Sequence, residues 1–216
     1  MHRPGKIICV GQNYRGHLNE MRGREVDEPT LFGKFAATVI GDGEAIVLPP
    51  ESSHVDAEAE LAVVIGRPAR RVSREHALEF VAGYVCANDV SARDIQYAGD
   101  RQWFRGKNFA TFCPVGPDEP VPLSELGDGS RLLVQQLLNG EVMQDGSTSD
   151  LIFDVPYLVA FASTLFTLEP GDLILTGTPE GVGWAREPKV KLQPGDVVEV
   201  RIDGVGSVTN PVVADT

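Results

Sequence analysis

The hydrophobic and polar positions of this chain fall mainly into short runs with the period of strands. Residues 6–10 form a brief apolar run that ends at Gly11, and residues 45–48 form another, closed by Pro49-Pro50. Ala59–Ile65 alternates, then becomes continuously apolar until Gly66-Arg67-Pro68 stops it. Val81–Asn88 reads as a buried strand. The C-terminal third adds Leu173–Leu175, Val197–Ile202 and residues 206–208, with Asp203-Gly204 as a turn. The sharpest local signal is the pair of runs 132–138 and 141–144 around Asn139-Gly140, which predicts a hairpin on a type I′ turn.

Helical signals are fewer. Ser73 is placed to cap a helix over Arg74–Phe80. Ser91 and Asp94 have the spacing of a capping box opening a helix over residues 92–98. Asp154 can cap Val155–Leu165, with Pro156 tolerated in the first turn. Residues 114–129 hold four of the fifteen prolines and three glycines without periodicity, and read as a surface connection. Strands outnumber helices and do not alternate regularly with them. The expected fold class is therefore mixed β with few helices (α+β), not a doubly wound sheet. The turn Leu168-Glu169-Pro170-Gly171-Asp172 recurs in form as Leu192-Gln193-Pro194-Gly195-Asp196, which is ordinary sheet architecture.

Composition narrows the function. With 216 residues the chain can bury one sizeable core. A formal net charge of −12 makes phosphate backbones and anionic membrane surfaces poor partners. Cys9, Cys86 and Cys113 lack metal-ligand spacing and suggest a reducing compartment. With no signal-peptide pattern and no apolar run long enough to span a membrane, a cytoplasmic location is expected.

An acidic protein that handles acidic substrates needs local positive charge, and this directs attention to one cluster. Glu58 and Glu60 are two apart on a strand-like segment, so they share a face while Ala59, Leu61, Val63 and Ile65 cover the other. Such a pair is either a solvent-facing edge or a cation site. Asp89 follows the run Tyr84–Asn88 and stands at a strand's end, where ligand-binding residues are often placed, although strand-ending Asn-Asp turns are also common. If the three meet, an all-oxygen donor set points to Mg²⁺, Mn²⁺ or Ca²⁺ in preference to zinc. Lys107, among aromatic residues after a glycine, is either a snorkelling surface lysine or a cation aimed at a developing oxyanion. His17 and Glu20 adjoin on one helical turn, as a surface pair or as a general-base dyad. His2, His54 and His76 are given no role. The glycine-rich run 177–183 lacks the phosphate-cradling pattern but can offer backbone N–H groups to a carboxylate.

Taken together and in order, these residues resemble the fumarylacetoacetate hydrolase family in its short single-domain form. The resemblance rests on Ile8-Cys9-Val10-Gly11-Gln12-Asn13-Tyr14 with His17 and Glu20, on Glu58-Ala59-Glu60-Leu61, and on the run from Asn88 to Gln96. It continues through Gly106-Lys107, Phe112–Pro117, Asn139-Gly140 and Thr176–Gly183. It implies a β-sandwich roll over residues 1–216 as one catalytic domain, with residues 1–50 as an N-terminal lid and strand segment, assembled as a homodimer. It further implies Mg²⁺ or Mn²⁺ on Glu58, Glu60 and Asp89, and catalysis by His17, Glu20 and Lys107. Gln96, Thr178 and Arg93 would bind a small 2-oxo acid. The implied reaction is hydrolysis of a C–C bond in an acylpyruvate, with oxaloacetate decarboxylation and diene-dioate isomerisation as alternatives on the same site; a binding protein without turnover is the alternative of another class. The chain departs from the family's pattern at Phe35-Ala36, where many relatives carry Pro-Ser, and at Asn108 and Ala110, where Ser and Asp are frequent.

Overall fold

The computed structural model describes residues 4–99 and 102–215; His2 lies outside them. The N-terminal half runs β1 (Ile7–Gly11), α1 (Arg15–Glu20), β2 (Thr30–Lys34), β3 (Val39–Ile40), β4 (Ile46–Leu48), β5 (Val55–Asp56), β6 (Ala59–Ile65) and β7 (Val81–Asn88). There follow β8 (Ser91–Ala92), α2 (Arg93–Gln96), α3 (Phe104–Lys107), β9 (Cys113–Val121) and α4 (Leu123–Leu126). The remainder is β10 (Leu133–Leu138), β11 (Glu141–Ser147), α5 (Val155–Leu165), β12 (Leu173–Leu175), β13 (Val197–Ile202) and β14 (Gly206–Ala214). Strands thus dominate, with few and short helices, as the pattern predicts.

Seven strands form one sheet in the order β2-β1-β12-β6-β7-β9-β3, and five form another in the order β11-β10-β13-β14-β4. The ends of the larger sheet are contiguous in sequence: Lys34 closes β2 at one edge and Val39 opens β3 at the other. Only residues 35–38 join them, which at ~3.5 Å per residue brings the two edges close together. The large sheet is therefore curled into a roll. Its outer face (Ile8, Leu61, Val63, Tyr84, Ile174) packs on Val134, Val200 and Val208 of the smaller sheet and on Leu158 and Val159 of α5. Its inner face carries Ile7, Cys9, Ala62, Val85, Ala87 and Leu175.

The hairpin at Asn139-Gly140 forms as expected, with φ of 54° and 84° at the two turn residues, the signature of type I′. Asp154 caps α5 by accepting a hydrogen bond from Tyr157 N. Four expectations change. Residues 113–121 form strand β9, which pairs with β7 along one side but with β3 only at Val39↔Cys113 and Ile40↔Pro114. Prolines are tolerated there because most of that second side needs no ladder donor. Ser91 does not open a capping box: it lies in β8 and its hydroxyl donates to Asp89 O at 2.8 Å. The helix after it shrinks to Arg93–Gln96, and Asp94 instead accepts from Ser52 and Ser53. Ser73 makes no side-chain cap to the backbone, and Arg74–Phe80 is a 3-10 helix. Among the described residues, no helix is long and apolar enough to cross a membrane.

Candidate metal centre and base dyad

Strand register builds the carboxylate cluster. In the β6–β7 ladder Ala59 faces Asn88 and Glu60 faces Ala87, and Asp89 N donates to Glu58 O at 2.9 Å. Period-2 alternation then puts Glu58 and Glu60 on the same face as Ala87 and Asp89, the inside of the roll. All three carboxylates are buried, and one oxygen from each lies within 4.8 Å of the others.

Three buried cations surround them. Lys107, at the end of α3, donates to Glu58 Oε2 at 2.5 Å and to Asp89 Oδ2 at 2.6 Å. Lys34, at the end of β2, reaches the other oxygen, Asp89 Oδ1, at 2.6 Å and also Val90 O at 3.2 Å. Arg93 lies 2.7 Å from Glu58 Oε1 and 2.9 Å from Asp56 Oδ2, with its Nη1 donating to Gln96 Oε1. The two glutamates consequently part company. Burial pushes the Glu58 carboxyl up, but Arg93 and Lys107 together outweigh burial and hold it well below the usual carboxylate range. Among the described residues no cation lies at salt-bridge distance from Glu60; burial, then Asp89 and Glu58, push its carboxyl well above that range. Gly177 N donates to its Oε2 at 2.7 Å.

The dyad also assembles. His17 Nδ1 lies 2.7 Å from Glu20 Oε1 on α1, and Gly181 N donates to Glu20 Oε2 at 2.9 Å. The imidazole is buried and lines the cavity that contains the triad. Helix α1 sits against the 177–183 run closely enough that a Cβ on Gly16 would overlap Glu180 Oε2 at 1.2 Å. Gly177 and Gly181 adopt φ of 97° and 103°, which side chains resist, and this turns their N–H groups toward Glu60 and Glu20. Gly183 N and Trp184 N donate likewise to Asp56 at 3.0 and 3.1 Å. The glycine-rich run thus gives its donors to the protein's own carboxylates.

Gln96, Thr178 and Arg93 all line the same cavity. The Thr178 hydroxyl donates to Ala59 O at 2.8 Å and accepts from Gln144 Nε2 at 2.7 Å, so its proton is already committed. Arg93 is likewise engaged by Asp56 and Glu58. Lys34, Asp56 and Gln144 were not singled out by sequence. Only their burial identifies them, and the partners that tie them to the site lie 30 or more residues away. His76 forms an exposed pair with Glu79, and His54 packs edge-on against Trp184 at 4.8 Å; neither reaches the triad. Phe35 N–H, which a proline would lack, donates to Asn108 Oδ1 at 2.8 Å, so two of the chain's departures from the family pattern satisfy one another.

The donor set suits a hard divalent cation. It offers one oxygen from each of three carboxylates and no nitrogen or sulfur ligand, and a bound cation would favour the ionised form of Glu60 that burial, Asp89 and Glu58 disfavour. A bound ion would compete with the Lys107 ammonium for Glu58 Oε2 and Asp89 Oδ2.

Comparison with known proteins agrees with this chemistry. A family model described as Fumarylacetoacetate (FAA) hydrolase C-terminal matches residues 6–213. The chain is 43% identical over 211 residues to oxaloacetate tautomerase Fahd2a, mitochondrial, of Rattus norvegicus, covering 98% of this chain and 67% of that protein. It therefore spans about two thirds of the length of that curated relative. The solved structure of 2-hydroxyhepta-2,4-diene-1,7-dioate isomerase from Mycobacterium marinum aligns with a TM-score of 0.86 at 42% identity, over 99% of this chain and 76% of that one. Fumarylpyruvate hydrolase from Pseudomonas aeruginosa, in complex with Mn²⁺ and pyruvate, aligns with a TM-score of 0.88 at 31% identity, over 98% and 91%. These relatives are enzymes that differ in reaction while sharing the roll. On that evidence, the chain belongs to the fumarylacetoacetate hydrolase family.

Proposed function

We propose that this protein hydrolyses the C–C bond of an acylpyruvate-type 2,4-dioxo acid, giving pyruvate and a carboxylic acid. The observation that carries the reading is the pairing of His17, buried on the wall of the carboxylate cavity, with the partly exposed Glu20 at 2.7 Å, the arrangement of a general-base dyad. A divalent ion held by Glu58, Glu60 and Asp89 would supply Lewis-acid polarisation of a 2-oxo acid head. With Nδ1 held by Glu20, His17 takes a proton from water at Nε2, and Glu20 stabilises the imidazolium. The water oxygen bonds to the distal acyl carbonyl. The bond from that carbon to the methylene then breaks, its electron pair passing into the enolate of pyruvate. The Lys107 ammonium neutralises charge developing on the enolate oxygen, and His17 returns the proton.

A second reading is supported by the 43% identity to the Rattus norvegicus oxaloacetate tautomerase. Exchange between keto and enol oxaloacetate needs the same dyad to move a proton and needs no attacking water. Decarboxylation and diene-dioate isomerisation would use the same enolate-stabilising groups. Pyruvate release from acetylpyruvate and from oxaloacetate, each with Mg²⁺ or excess EDTA, tests the proposal. Faster Mg²⁺-dependent release from acetylpyruvate supports hydrolysis. Loss of the oxaloacetate enol absorbance without pyruvate release, and no acetylpyruvate cleavage, would replace it with tautomerisation.

A further inference from the structure

The cavity around the triad and the groove beside β2 share two walls and differ greatly in size. The cavity measures about 20 Å³ between His17, Lys107 and the carboxylates, little more than room for a water. The groove, about 440 Å³, is bounded by Thr30, Leu31, Gly33 and Phe104. Phe32 and Trp103 line both. Their rings meet edge to face, with centroids 5.4 Å apart and an interplanar angle of 75°. Trp103 is seated against Gly11, where a Cβ would come within 2.2 Å of the indole. Phe32 is held from the cavity side, its centroid 5.1 Å from Lys107 Nζ.

We propose that Phe32 and Trp103 form a specificity wall that sets the length of the group on the far side of the scissile bond, with Gly11 as the positioning residue that seats Trp103. This rests on the 2-oxo acid reading of the site. A 2-oxo acid head anchored at the triad already exceeds this cavity, so the group beyond the scissile bond must lie against the two rings that separate it from the groove. A short distal group ends at the two rings, whereas a longer one must part them and enter the groove.

The test uses straight-chain acylpyruvates of increasing length with the Mn²⁺-loaded protein, comparing wild type, Trp103→Ala and the milder Trp103→Leu. Two quantities are read: kcat/KM from pyruvate release, and Kd from water-proton relaxation of bound Mn²⁺. The wild-type profile should fall by about tenfold per methylene once the tail reaches the wall. Trp103→Ala should abolish that fall, bringing the kcat/KM ratio between successive chain lengths close to one. Trp103→Leu should lie between, and Gly11→Ala should raise KM even for acetylpyruvate. A length profile identical in wild type and Trp103→Ala overturns the wall. A Trp103-dependent profile in Kd without pyruvate release from any member keeps the wall and overturns hydrolysis.

Discussion

The two faces of the seven-stranded roll hold together by different physics, and β6 displays both within seven residues. Outward, Ala59, Leu61, Val63 and Ile65 join the core formed with α5 and the smaller sheet, where Leu61, Val63 and Ile65 each contribute about 1.5–3 kcal/mol through apolar area removed from water. Inward, the same strand aligns Glu60 with Ala62, and Glu58 precedes it. There the gain depends on whether each charge meets a partner. Glu58 meets Arg93 and Lys107 and stays ionised; Glu60, among the described residues, meets a backbone N–H and no contacting cation, and resists ionisation. A core face tolerates any side chain of suitable volume, whereas a charged face tolerates only a balanced set. Acidic residues accumulate beyond balance where a further cation is intended.

The comparison can be broken most forcefully at Asp89. Asp89→Asn should lower turnover by about a thousandfold or more, equivalent to about 4 kcal/mol of barrier, measured as Mg²⁺-dependent pyruvate release. On the outer face, Leu61→Ala should cost about 2–5 kcal/mol of unfolding free energy in urea titration, with turnover per folded molecule changed only a few-fold. Glu58→Gln and Glu60→Gln sharpen the inner side. The first strips a partner from two buried cations and should destabilise the metal-free protein by about 3–5 kcal/mol; the second removes an uncompensated acid and should not destabilise it.

The same pair predicts a pH dependence. In the folded, metal-free protein Glu60 keeps its proton above its ordinary pKa of 4.5, while the unfolded chain has lost it. Wild-type stability therefore falls as pH rises from about 4.5 toward the raised value, by up to about 1.4 kcal/mol per unit. Glu60→Gln should remove that slope, and saturating Mn²⁺ should cancel it. The smallest effect is expected at Asn108→Ala, about 1 kcal/mol, since it loses the bonds to Phe35 N and Gly33 O at a part-exposed edge.

Much of this was legible in the residues. Alternation over 58–65 assigns Glu58 and Glu60 to one face, and the i,i+3 spacing of His17 and Glu20 makes the two adjoin, because both relations are local; that the pair is more than a surface contact came from the resemblance. Its place at a strand's end made Asp89 a candidate companion, the resemblance to a family implied that the three meet, and the β6–β7 ladder supplies the reason. What stayed hidden was long-range or masked by composition. Lys34 is 55 residues from Asp89, and nothing near it in sequence signals burial. Asp56 meets Arg93 across 37 residues. Strand β9 was concealed by its own prolines, which a strand with a largely unpaired side can carry. Ser91 has a capping-box spacing, yet the β5–β8 pairing claims its backbone first.

The most direct test of the central claim is a Mn²⁺ titration followed by electron paramagnetic resonance, on wild type and on folded Asp89→Asn. The account predicts one ion bound per wild-type chain and affinity weakened at least a hundredfold in Asp89→Asn. Equal binding by both proteins, or none by wild type, would contradict it.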